Sequence, residues 1–203
     1  MRLLAALTVA LVLTGCAVTP KQLSRDEWRQ TTQREYAATS DQVLNAAEKV
    51  LRLADGDDFT IIHQDNALHA SRPWLVYLVL AAAMGTDTWR VETTQSPGAT
   101  RASVLVSSQA GAVMPMPTTS PGVYTASGAP MAGNIVNGSA IYDVFWARMD
   151  WMLGRRGDWM DCKVADQRVK TGAAWGTNEA LCNSFNITDK APSENDRVIP
   201  MKS

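Results

Sequence analysis

Residues 59–72, FTIIHQDNALHASR, decide the fold. Phe59, Ile61 and His63 alternate with Thr60, Ile62 and Gln64, then Leu68, Ala70 and Arg72 alternate with Ala67, His69 and Ser71. A period of two marks strands half-buried on a sheet, and Asp65-Asn66 between them is turn chemistry, so the stretch predicts an antiparallel hairpin. With a two-residue turn, Ile62 faces His69 and His63 faces Leu68, which puts the two histidines on opposite faces; a turn one residue longer or shorter reverses that parity. Two histidines without a third ligand make a poor zinc site in either case. A second hairpin follows the same logic. Trp89, Val91 and Thr93 alternate with Arg90 and Glu92, Ser96-Pro97-Gly98 turns the chain, and Ala102, Val104 and Val106 supply a buried face.

Helices flank the hairpins. Residues 33–38 read as a short edge strand leading to Thr39, which forms a capping box with Gln42. Val43, Leu44, Ala47, Val50, Leu51 and Ala54 then recur along one helical face, and Gly56 supplies the left-handed end. Asp55, Asp57 and Asp58 around it read as a solvated helix end, since a calcium loop needs more ligands over a longer span. Ser139 is the expected cap of a second helix to about Leu153, with Ile141, Phe145, Met149 and Met152 on one side and Gly154 at its end. Trp146, Trp151, Trp159 and Trp175 read as core filling, with a sugar or ligand platform as the alternative. The predicted class is α+β: a mainly antiparallel sheet of about four to five strands packed against two helices, in a single domain over residues 33–186.

Two segments lack a period. Residues 73–85 are apolar, and the stretch from Trp74 to Met84 carries no charge. As a helix it would span about 16 Å, short of the roughly 30 Å hydrocarbon core, so it does not cross a bilayer. It reads as a buried helix or a doubly covered strand, or alternatively as an apolar loop that meets a membrane or a partner. Residues 109–138 are rich in Gly, Pro, Ser, Thr, Ala and Met with no charge, and read as a long flexible loop in which Met114-Pro115-Met116-Pro117 is a candidate partner strip. Met114, Met116 and Met131 lack the nearby His or Cys that would point to copper. Residues 187–203 read as a polar tail.

The first fifteen residues carry one charge, Arg2, ahead of an apolar stretch over 3–13. A positive start and an apolar core of about 7–15 residues before small residues form a secretory signal; a spanning helix needs about 20. Leu13-Thr14-Gly15-Cys16 resembles the lipobox of bacterial lipoproteins. That resemblance implies cleavage between Gly15 and Cys16, a diacylglycerol on the Cys16 thiol and an acyl chain on its new amine. Ala17 in the next position implies the outer membrane, with the domain on the periplasmic side. Two or three chains on one residue anchor durably where one binds only marginally. Residues 16–32 then form a lipidated tether whose one anchor is Trp28.

With Cys16 taken by lipid, Cys162 and Cys182 remain as a pair, which suits a disulfide in an oxidising compartment; two separate reduced thiols are the alternative. The chain has 203 residues, 19 basic against 20 acidic, and a formal charge of −1. No basic cluster resembles those that neutralise phosphates, so no nucleic-acid partner is expected. No cofactor is expected beyond the covalent lipid on Cys16, and no metal.

No Gly-x-Ser-x-Gly elbow, phosphate-cradling glycine loop or His-Glu-x-x-His helix occurs, and His63 and His69 are the only histidines. No catalytic residues are assigned, although an acid pair assembled in space would make an enzyme. Arg156-Gly157-Asp158 matches an adhesion motif by letter alone. Residues 33–153, a strand, a helix, strand pairs and a second helix, resemble the small α+β domains of outer-membrane accessory lipoproteins. An anchor, a tether, a packed sheet and a long loop with no catalytic set point to a non-catalytic binding or assembly module, with the membrane and an envelope protein as partners. The rival is a carrier of a lipid or other apolar small molecule, with the Trp74 to Met84 segment as its lid; a purely structural lipoprotein is a third reading.

Overall fold

A computed structural model describes residues 22–55, 58–78, 81–117, 124–127, 133–182 and 191–201. Ser24 opens α1 (Arg25–Thr32) through a reciprocal capping box: the Glu27 amide donates to Ser24 Oγ at 3.3 Å and the Ser24 amide to Glu27 Oε2 at 2.8 Å. The second half of the expected tether is therefore a docked helix. Trp28 does anchor it, meeting Tyr142 edge-on at 5.7 Å. A short helix with a polar face hides in a polar stretch, because Trp28, its only aromatic residue, gives no period.

β1 (Gln33–Tyr36) follows at the sheet edge, and Thr39 then caps α2 (Ser40–Asp55) as expected. The Gln42 amide donates to Thr39 Oγ1 at 3.2 Å and the Thr39 amide to Gln42 Oε1 at 3.0 Å. Val43, Leu44, Ala47, Val50 and Leu51 are all buried. Gly56 and Asp57 lie outside the described residues.

The sheet is built from β2 (Thr60–Gln64), β3 (Ala67–Leu78), β4 (Ala81–Ser96) and β5 (Ala99–Pro117), with the short β6 (Tyr124–Ser127) and β7 (Asn134–Ile135) paired to β5. Its order is β1-β5-β4-β3-β2, and the pairings are antiparallel. Ile62 faces His69 and His63 faces Leu68, the register of a two-residue turn at Asp65-Asn66. Ser96 faces Ala99 across Pro97-Gly98, where Gly98 takes φ +80°, the left-handed value that a type II turn requires at its third residue.

The two hairpins are not separate. β3 runs on past Arg72 and β4 begins before Trp89, so residues 74–78 and 81–84 of the apolar stretch are strand, the second of the two expected forms, and pair with each other; residues 79–80 lie outside the described residues. Leu75 and Met84, cross-strand partners, are 46% and 47% exposed. The expected flexible loop over residues 109–138 is corrected where it is described: β5 pairs with β4 through Val113 and continues to Pro117 against β6, while residues 118–123 and 128–132 lie outside the described residues. Pairing between main chains needs no hydrophobic alternation, so runs of small residues extend a sheet without announcing it.

α3 (Ala140–Met152) is buried on nearly every side, Asp143 and Asp150 being its half-buried residues, and this exceeds the one-sided helix expected. Sheet, α2 and α3 share one core in which Trp89 packs on Phe145 at 5.4 Å. Ser139 does not cap α3 with its side chain; its hydroxyl accepts the Trp175 amide at 3.1 Å instead. Asp161 caps α4 (Cys162–Lys170), accepting from the Val164 amide at 2.7 Å. The polar tail is partly docked: the Val198 and Ile199 amides donate to the Met152 carbonyl, and the Arg197 guanidinium stacks 4.0 Å from the Trp151 ring. Gly154, at φ +69°, makes room for it, since a Cβ there would lie 2.7 Å from the Pro200 carbonyl.

Candidate binding cleft

Along β3, alternate residues face the helices: Leu68 and Ala70 lie in the core, and Arg72, Trp74 and Val76 continue the same row outward. Arg72 and Asp87, direct cross-strand partners, are the last buried pair among the described side chains of this ladder. Arg72 Nη2 lies 2.9 Å from Asp87 Oδ2, and Ser108 Oγ donates to Asp87 Oδ1 at 2.7 Å. The same guanidinium group donates to the Glu179 carbonyl at 3.3 Å and lies over the Phe59 ring at 5.6 Å.

Beyond this pair the sheet outruns its helical cover, and the gap is a cleft of about 540 Å³. Trp74 and Val76 form its sheet wall, Val136 after β7 and Ile141 at the start of α3 face them, and Thr177, Glu179 and Ala180 close the far side. Its charged lining comprises three carboxylates, Asp58, Asp87 and Glu179, against one guanidinium, Arg72. Tyr142 ties the Val136 wall to the sheet: its hydroxyl donates to the Val136 carbonyl at 3.3 Å and accepts the Val106 amide at 3.4 Å. Burial pushes that hydroxyl up to about 12.

Trp74 sits on a glycine. A Cβ at Gly85 would lie 2.4 Å from Trp74 Cζ2 and 2.2 Å from the Gln109 carbonyl oxygen, so only glycine lets the indole lie flat on the ladder here. Gly85→Ala is expected to displace the indole and cost roughly 1–3 kcal/mol of stability. The measurement is a urea midpoint with the near-UV circular dichroism; an unchanged midpoint would contradict this seating of Trp74.

The two remaining cysteines are joined, Cys162 to Cys182, with Cα atoms 5.4 Å apart. Buried Arg148 lies against the bridge: Nη2 is 3.3 Å from Cys162 Sγ, Nε donates to the Met160 carbonyl at 3.0 Å, and the guanidinium lies 4.9 Å from the Trp159 ring. Gly15 and Cys16 lie outside the described residues, as does Met131. The histidines occupy opposite sheet faces. His63 Nε2 lies 2.6 Å from Glu48 Oε2 at the surface. Burial opposes ionisation of Glu48, but hydrogen bonds from Arg52 and His63 outweigh it and hold the carboxyl below its ordinary range. Met114 and Met116 sit in β5 opposite Ser127 and Thr125. Among the described residues no three His, Cys, Asp or Glu side chains gather to hold a metal, and no helix is long and apolar enough to cross a membrane.

The Arg72–Asp87 pair was not among the expected features, and a cleft was expected only on the carrier reading. A signal for them exists: these two opposite charges bracket an uncharged stretch whose arms are of nearly equal length, the pattern of a hairpin closed at its base by an ion pair. No family model, curated protein or solved structure matches this chain.

Proposed function

We propose that the chain is a lipid-anchored protein of the bacterial outer membrane, facing the periplasm, that works as a non-catalytic binding or assembly module for an envelope protein. The observation that carries this reading is the sheet that outruns its helices, leaving an uncharged extension with Leu75 and Met84 about half exposed beside a cleft. Exposed apolar surface of this kind is the usual mark of an interaction site. The leader, the lipobox and the disulfide, a bond that persists in oxidising compartments, support the address.

Cys16→Ser is the test of the anchor. The wild-type chain is expected in the membrane fraction with its N-terminus acylated, and the variant in the soluble periplasmic fraction. An unmodified, uncleaved wild-type N-terminus in the cytosol would end this reading. Crosslinking in intact cells is expected to return one reproducible envelope protein. The second reading, a carrier of an apolar small molecule, is favoured by the cleft volume and by Trp74, Val76 and Ile141 in its walls. Native mass spectrometry separates the two, since a carrier purified from cells retains a ligand mass and a module does not.

A further inference from the structure

β2 begins at Thr60, opposite Ser71, whereas β3 continues to Leu78. Over residues 72–78 no strand among the described residues pairs with β3 on the β2 side. The hydrogen-bond phase of this edge is fixed. The Thr93 amide donates to the Asn66 carbonyl at 2.8 Å, so even-numbered residues of β3 bond to β4 and odd-numbered ones point away. Odd residues 67, 69 and 71 meet β2; the next are Pro73, Leu75 and Tyr77. The Leu75 and Tyr77 amides and the carbonyls of all three therefore face outward along one line. Natural edges are blunted by charge, proline or a covering element. Here the stretch from Pro73 to Gly85 carries no charge, and Pro73 withdraws a single donor at the inner end.

We infer that this edge is a strand-addition site for an extended peptide segment of a partner protein, which pairs with β3 over residues 73–78 on the β2 side, where no described strand does. In such pairing main-chain bonds give affinity and alternate side chains give specificity. The inward side chains of the added strand enter the cleft between Trp74, Val76 and Ile141, so they are apolar. Asp87 is already held by Arg72, whereas Asp58 stands exposed at the rim of the cleft, so the segment also carries a lysine or arginine at the Asp58 side. A small apolar ligand fills the volume and leaves the outward amides unbonded. A second copy of this edge brings another Pro73 and no positive charge. This inference rests on the binding-module reading and names its partner class.

The test pans a random-peptide display library against the lipidated protein in detergent micelles and titrates an enriched synthetic peptide. Alternating apolar sequences with a basic residue are expected, and the bound peptide should slow exchange of the Leu75 and Tyr77 amides. Leu75→Pro removes an outward N–H that the β3–β4 ladder does not use, and proline is tolerated on edge strands; it should weaken the peptide by about tenfold or more. Leu75→Ala, which keeps the N–H, should weaken it by less than about threefold. Asp58→Lys, at an exposed position, should weaken it whether or not the proline variant folds. Equal binding to Leu75→Pro and Asp58→Lys, protection of other amides only, no enriched peptide, or a dimer of this chain through β3 would each overturn the site. Should crosslinking in cells return a partner while the β3 edge stays unprotected, the strand-addition site falls and the binding-module reading stands.

Discussion

Arg72→Met is expected to lower the free energy of unfolding by about 3–5 kcal/mol, the usual cost of removing one partner of a buried ion pair. The side chains of Arg72 and Asp87 are 4% and 8% exposed and in contact at 2.9 Å, so water screens the pair weakly. Methionine replaces the stem of the arginine but leaves the Asp87 carboxylate at the floor of the cleft, bonded to the Ser108 hydroxyl and facing no cation among the described residues. The double variant Arg72→Met with Asp87→Leu should recover most of the loss, because well-packed apolar residues often replace a buried pair at little cost. Urea unfolding of both single variants and the double gives the coupling directly. A cost below about 1 kcal/mol for Arg72→Met would place the pair among solvent-screened surface contacts and contradict its burial. The pair also holds register. Sliding β3 by one residue against β4 would send Arg72 to the outer face and strand Asp87 beneath the sheet, so the ion pair opposes slippage in a hairpin whose outer arms, apolar or small on both faces, do so only weakly.

That weakness also explains which parts of the fold could be read from residues alone. The inner halves of both hairpins were legible because Leu68, Ala70, Trp89, Val91, Ala102, Val104 and Val106 face a core while their neighbours face solvent, and α2 was legible because Thr39 and Gln42 satisfy each other's amides. The outer half was not. From Trp74 to Met84 both faces are apolar, and from Gln109 to Val113 the residues are mostly small, so neither stretch carries a period. α1 had its signal in Ser24 and Glu27, but eight residues with one aromatic contact offer no stripe. The docked tail depends on Arg197, whose guanidinium bonds to the Trp151 and Arg156 carbonyls far away in sequence. The pairing of Cys162 with Cys182 was legible by parity, since Cys16 has another expected use. A pocket was expected only on the carrier reading, and its place was not legible, because the cleft is a mismatch between the lengths of two layers, and a length mismatch is a property of the assembled layers.

Replacing both Cys162 and Cys182 with alanine is expected to cost about 3 kcal/mol, the entropy of closing a loop between cysteines 20 residues apart. The loop so closed contains α4 and ends in the segment that walls the cleft, Thr177, Glu179 and Ala180. Arg148 reinforces the same closure from inside the core, donating to the Met160 carbonyl on one arm and toward the Leu181 carbonyl at 3.5 Å on the other. Bridge and guanidinium therefore hold the same two arms, and their removal should be non-additive: with the cysteines gone, Arg148→Met costs more than it does in the oxidised protein. Unfolding midpoints of the four variants, with and without dithiothreitol, measure this. Reductant should move the wild-type midpoint to that of the double-alanine variant and leave the latter where it is. Equal midpoints for oxidised and reduced wild type would show that the loop is held by packing alone. If the wall does depend on the bridge, reduction should also weaken a peptide bound along β3, because Thr177 to Ala180 then lose their fixed position opposite Trp74 and Val76. Binding at that edge would then report the redox state of a bond that touches none of its residues.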